Sequence, residues 1–243
     1  RAEGLTGVDA LPADAGVAAQ MQHREKQLRL VLDQTLARLT HAERTALDYA
    51  ALLPPDNIPW PWLRALVEQE HPNALTKRQG YDAPWQTLRR RLEGLRLLTP
   101  GDHPEIARLH RMVAAHVRAR LPAGDALEGK RPGHVPAQGN PLGSDAPHEP
   151  SPERAAQMRT RVNAVIAQMA SQVEYSIDHH TGDLWMLRPL QDSIRLVDKG
   201  EPVESLALAS DVVGGVEMTI GRLDTAFDFL RRAERSRRIL HER

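Results

Sequence analysis

A chain of 243 residues that is 41% hydrophobic and 26% charged has the profile of a globular protein, with room for two compact units and a linker. Lys plus Arg number 32 and so do Asp plus Glu, which excludes a global positive field for nucleic acid or anionic lipid; the absence of cysteine excludes disulfides, thiolate metal sites and cysteine nucleophiles. No stretch approaches the roughly 20 uninterrupted apolar residues of a membrane span, and no targeting segment is read at the start of the given sequence, so no membrane partner is expected and the expected compartment is the cytoplasm.

In chain order, Arg1 to Gly16 carries little periodicity and forms a lead-in. From Val17 to Leu39, Leu28, Leu32, Leu36 and Leu39 fall at helical spacing and predict an amphipathic N-terminal helix. Thr40-His41-Ala42-Glu43 has the form of a capping box, opening a helix through Ala46, Leu47, Ala50 and Leu53 that Pro54-Pro55 stops. Ile58-Pro59-Trp60-Pro61 predicts an extended entry into a third helix, Trp62 to Glu70, with Leu63, Leu66 and Val67 inside; His71-Pro72 ends it. Asp82 is then the expected N-cap of a fourth helix carrying Trp85, Leu88, Leu92 and Leu95.

Leu97-Leu98-Thr99 and Ile106-Ala107-Arg108-Leu109, around Pro100-Gly101-Asp102-His103-Pro104, predict two short strands and a turn, a small wing. Leu109, Val113, Val117 and Leu121 mark a closing helix. Pro122 to Pro152 is rich in glycine and proline and poor in large apolar residues, as expected of a flexible linker. Beyond it the spacing predicts a helix with Met158, Val162, Val165, Ile166 and Met169 inside. A second helix, Leu184 to Val197, should be bent or split at Pro189, and a helical pair, Glu201 to Thr219 and Leu223 to Glu242, should turn around Gly221. The whole is a mainly helical, all-α chain with a lead-in over 1–39, one unit over 40–121, a linker over 122–152 and a helical block over 153–243.

The order of three helices, a two-stranded wing and a closing helix over Thr40 to Leu121 has a winged-helix pattern. Its last run, Ala107-Arg108-Leu109-His110-Arg111-Met112-Val113, resembles the Leu-His-Arg-Leu-Val run that ends the winged helix of bacterial STAND NTPases, signalling relatives of NB-ARC and plant resistance proteins. Leu109-His110-Arg111 stands where that family has Met-His-Asp. The resemblance implies that His110 senses the nucleotide of an ATPase domain, holding its ADP-bound state; Arg111 departs from the family's Asp. The final helical pair resembles a tetratricopeptide repeat: Val213-Gly214, Gly221, Ala226, Leu230 and Ala233 fit, while Ser210 and Glu217 replace the Trp and Tyr.

No G-x-x-x-x-G-K-[ST] is present, so the resemblance implies a non-catalytic regulatory fragment, without cofactor, whose parent protein would bind ADP or ATP in an upstream ATPase domain. The start at Arg1 and the finish inside a charged helical run, Phe227 to Arg243, fit a piece of a longer chain. Implied partners are that ATPase domain, a protein or peptide ligand on the helical array, and further copies on activation.

Other candidates carry a blander explanation. His110 is equally a histidine satisfied by backbone at a helix start. Arg89, Arg90, Arg91 and Arg96 could contact phosphates as a recognition helix would, or another protein; a solvated face opposite Leu88 and Leu92 is the simpler expectation, and nucleic acid is not favoured. Asp178-His179-His180 with Asp183 lacks ligand spacing, so no metal site is expected. Arg231, Arg232, Arg235, Arg237 and Arg238 alternate with Glu234 and Glu242, as intrahelical ion pairs would. Trp60, Trp62, Trp85 and Trp185 are expected core anchors. A DNA-binding regulator and a protein-interaction scaffold are the competing functions.

Overall fold

The computed structural model describes residues 29–76, 82–121, 151–179, 184–197 and 203–242, and is mainly helical with one small sheet. Residues 29–36 are helical and belong, up to Leu39, to a compact unit separate from Thr40–Arg243. The earlier part of the predicted N-terminal helix, and residues 122–150 of the linker expected over 122–152, lie outside the described residues; Ser151 and Pro152 instead cap and open a helix.

The first block opens with α1, His41–Leu52. Thr40 Oγ1 accepts the Glu43 N–H at 3.4 Å, and the Glu43 carboxylate accepts the Thr40 N–H at 2.8 Å, so two otherwise orphaned donors are satisfied reciprocally. Pro54 forces Leu53 into extended backbone and ends the helix. Ile58–Pro59 then pairs as a strand, β1, and α2 spans Trp60–Glu70. The helix thus starts two residues before the position the sequence suggests. Pro61 in its first turn lacks an N–H that would have had no partner there anyway.

After a 3₁₀ turn, Pro72–Leu75, α3 spans Pro84–Gly94. Its N-cap is Ala83 and not Asp82, whose carboxylate instead binds Arg90 at 2.9 Å. Leu95 lies past the helix and is exposed, so only Leu88 and Leu92 face inward. The chain reverses through Arg96 at φ 58°, with Arg96 N–H on the Glu93 carbonyl at 3.0 Å and Leu97 N–H on the Leu92 carbonyl at 3.1 Å. These two bonds form a Schellman close in which glycine is the usual left-handed residue.

β2, Leu98–Pro100, and β3, Ile106–Leu109, pair antiparallel, with Leu98 opposite Leu109; β3 also pairs with β1, Ile58 opposite Ala107. The sheet is therefore three-stranded, in the order β1–β3–β2. Sequence reasoning expected two strands and took Leu109 as the start of the closing helix. That helix, α4, begins only at Arg111 and runs to Arg120, burying Val113, Ala114 and Val117. Both prolines of the sheet, Pro59 and Pro100, stand on its outer strands, where a missing amide donor is tolerated.

In the helical block, α5 spans Pro152–Asp178 and buries Met158, Val162, Val165, Ile166 and Val173. A 3₁₀ turn, Leu184–Met186, leads into α6, Leu187–Val197. Pro189 occupies the first turn of α6, and the break in helix type comes just before it, where 3₁₀ gives way to α at Leu187. α7, Glu204–Thr219, and α8, Leu223–His241, form a hairpin whose turn residue Gly221 has φ +82°. The hairpin is tight because Gly214 has no side chain: a Cβ there would stand 2.7 Å from Leu230 Cγ and 3.2 Å from the Ala226 carbonyl. Trp60 and Trp62 are fully buried, whereas Trp85 and Trp185 are only half-buried. Among the described residues no helix is long and apolar enough to cross a membrane.

Candidate functional site

The densest polar arrangement lies where α5 packs on α1 and α2. Glu70, at the C-terminus of α2, accepts from four donors: Tyr49 Oη at 2.9 Å, Arg154 Nε at 3.1 Å, Arg154 Nη2 at 2.7 Å and Arg161 Nη1 at 3.0 Å. Arg154 also donates to Thr45 Oγ1 at 3.1 Å, and Arg161 to Tyr49 Oη at 3.1 Å. Thr45 Oγ1 lies 2.8 Å from His71 Nε2, and the His71 ring meets His41 edge-on at 4.8 Å. A charge-assisted, two-pronged guanidinium contact fixes direction as well as distance, so this cluster sets how α5 lies on the first block.

Burial drives the ionisations in this cluster. Asp48, 3.5 Å from Arg44, is pushed up to about 6 by desolvation, which outweighs the Arg44 and Arg154 charges. Burial likewise raises the Tyr49 phenol to about 12, so it remains a proton donor to Glu70. His71 is held below its usual value, first by burial and then by His41. Both Asp48 and His71 are thus pressed toward their uncharged forms.

A second contact between the blocks involves the sheet and α6. Asn57 Nδ2 donates to Asp192 Oδ2 at 2.7 Å, and His103, in the β2–β3 turn, stacks on Trp185 at 4.6 Å and 9°. The β2–β3 turn is therefore occupied from within the chain.

His110 is exposed at the N-cap of α4, where its Nδ1 accepts the Met112 N–H at 3.3 Å. With Nδ1 so engaged, Nε2 is the ring nitrogen left to act as a donor. Arg111 pairs with Asp56 at 2.7 Å, both exposed. Arg89 binds Glu93 at 3.1 Å and the Pro104 carbonyl at 3.0 Å, with its guanidinium 4.7 Å from the Trp60 ring centre. Arg90 holds Asp82 and Arg91 holds Glu43 at 3.0 Å, while Arg96 sits at the helix end described above. The first three are engaged by in-chain groups instead of forming a free cationic face.

No group of metal-capable side chains occurs among the described residues. His179 stacks on Tyr175 at 3.9 Å, and His180 and Asp183 lie outside the described residues. On α8, Arg232 pairs within the helix, with Asp228 at 3.3 Å, but Arg237 reaches across to Asp211 on α7.

Sequence reasoning missed the Glu70 cluster. Its one signal was that Arg154 and Arg161 fall seven apart, in register with the buried Met158 and Val165, where a solvated arginine has no reason to be. No protein-family model matches this chain, and no curated protein or solved structure does either.

Proposed function

We propose that the chain is the winged-helix and early tetratricopeptide-like region of a STAND-type signalling NTPase, a non-catalytic piece that couples the nucleotide state of an upstream ATPase domain to a helical sensor. The observation that carries this is the element order α1–β1–α2–α3–β2–β3–α4, with the sheet closing as β1–β3–β2 and an exposed His110 at the β3–α4 junction. Gly214 against Leu230 and Ala226 supports the repeat-like character of α7 and α8. The Glu70 cluster supports coupling: ligand binding to the helical block can bias the first block only if the two are mechanically joined. A duplex-DNA role is weakened by the internal use of Arg89, Arg90 and Arg91 and by His103 stacked on Trp185.

The test is ADP release from this region joined to the ATPase domain encoded upstream of it. His110→Ala removes one hydrogen bond to a charged phosphate and should speed release about tenfold or more. Release unchanged by the substitution refutes the proposal. Titration of duplex DNA at low salt should show no binding that Arg90→Ala weakens.

A further inference from the structure

Among the described residues the outer side of α8 is left exposed. Ala226, Phe229, Ala233 and Ser236 face inward, while Leu223 and Phe227 are 54% and 50% exposed and are followed on the same stripe by Arg231, Glu234 and Arg238. Phe227 is one of only two phenylalanines in the protein, and the other, Phe229, is fully buried. Among the described residues Arg231, Glu234 and Arg238 make no ion pair, although the neighbouring Arg232 and Arg237 do.

We infer that this stripe is the docking face for a second copy of the chain, through an antiparallel pairing of the two α8 helices. The order of charges along the helix carries the inference. With a two-fold axis passing between Arg232 and Ala233, each residue faces the one equally far beyond the axis. Arg231 then meets the partner's Glu234, and by symmetry Glu234 meets the partner's Arg231. Phe227 meets the partner's Arg238, an aromatic face under a guanidinium. Asp224 meets the partner's His241, and within Leu223–His241 no two like charges face one another. A parallel pairing would set Arg231 on the partner's Arg231 and Glu234 on the partner's Glu234. The exposed apolar residues lie at the two ends of the pairing and the ion pairs at its centre, so register is fixed by charge.

Sedimentation velocity on the whole chain, over a concentration series, tests it. The wild type should show a reversible monomer–dimer equilibrium. Phe227→Lys, which sets a second cation against the partner's Arg238 at both symmetry-related places, should leave it monomeric with an unchanged helical circular-dichroism signal, since Phe227 is half in solvent. Arg231→Glu alone, and Glu234→Arg alone, should each weaken association about tenfold, because two symmetry-related pairs turn repulsive at once. The double exchange Arg231→Glu with Glu234→Arg should restore it. A wild type that is monomeric throughout, a dimer indifferent to Phe227→Lys, or a double exchange as weak as the single ones overturns the pairing. So does a monomer that binds anionic lipid vesicles through Phe227, which would assign the stripe to a membrane surface.

Discussion

The interior of the first block and its seam with α5 are assembled from opposite materials. Inside, Leu47, Trp60, Trp62, Leu63, Leu66 and Leu98 are excluded from water. At the seam, one carboxylate is shared by a phenol and two arginines, whose side chains stay 24% and 34% exposed. Apolar burial is worth more per residue but is indifferent to direction. The seam contributes less and is selective, since Glu70 can be satisfied only when α5 lies at one height and one rotation. Stability and orientation are therefore delegated to different places in the molecule.

The contrast can be broken most severely from the inside. Leu63→Ala, at a fully buried position of α2, should lower unfolding stability by about 2–5 kcal/mol in urea titration. At the seam, Glu70→Gln leaves two guanidiniums short of their counter-charge. Because both keep access to solvent, the expected loss is smaller, about 1–2 kcal/mol, and it should shrink as salt is added. Loss of stability at Glu70 as large as at Leu63, and insensitive to salt, would show that the seam is part of the core.

Asp48 sharpens the contrast through pH. Its proton is held more tightly in the fold than in the unfolded chain, so its contribution is complete below the ordinary carboxylate range and is lost as pH rises through about 6. Asp48→Asn should therefore be more stable than the wild type by about 1–3 kcal/mol near pH 7.5, with the advantage vanishing toward pH 4. His71 acts in the opposite sense: its contribution is present above the ordinary imidazole range and lost as pH falls through its lowered value. Thermal melts of the Asn variant should isolate that acid limb. The smallest effect belongs to Arg96→Gly, which relieves a left-handed arginine and should add about 1 kcal/mol in the same melts.

Elements whose causes are local were legible in the sequence. The Thr40 capping box, the stop at Pro54-Pro55, the turn between β2 and β3 and the Gly221 reversal depend on residues within a few positions of one another. Ile58-Pro59 was legible as extended, but its pairing was not, because two residues carry no periodicity and become a strand only by pairing with Ile106 and Ala107. The left-handed Arg96 was missed because Leu88, Leu92 and Leu95 keep helical spacing across Gly94, and an arginine carries no turn signal. The Glu70 cluster was missed for a deeper reason. Arg154 lies 84 positions from Glu70, and before folding its charge is indistinguishable from that of any solvated arginine.

The two prolines at the borders of the sheet have a consequence for assembly. An outer strand recruits another strand by offering a ladder of unsatisfied amides, and Pro59 and Pro100 each interrupt that ladder with a residue that has nothing to donate. Growth by edge-to-edge addition is closed on both flanks, so crowding of many such chains would not be expected to seed fibrils from this sheet.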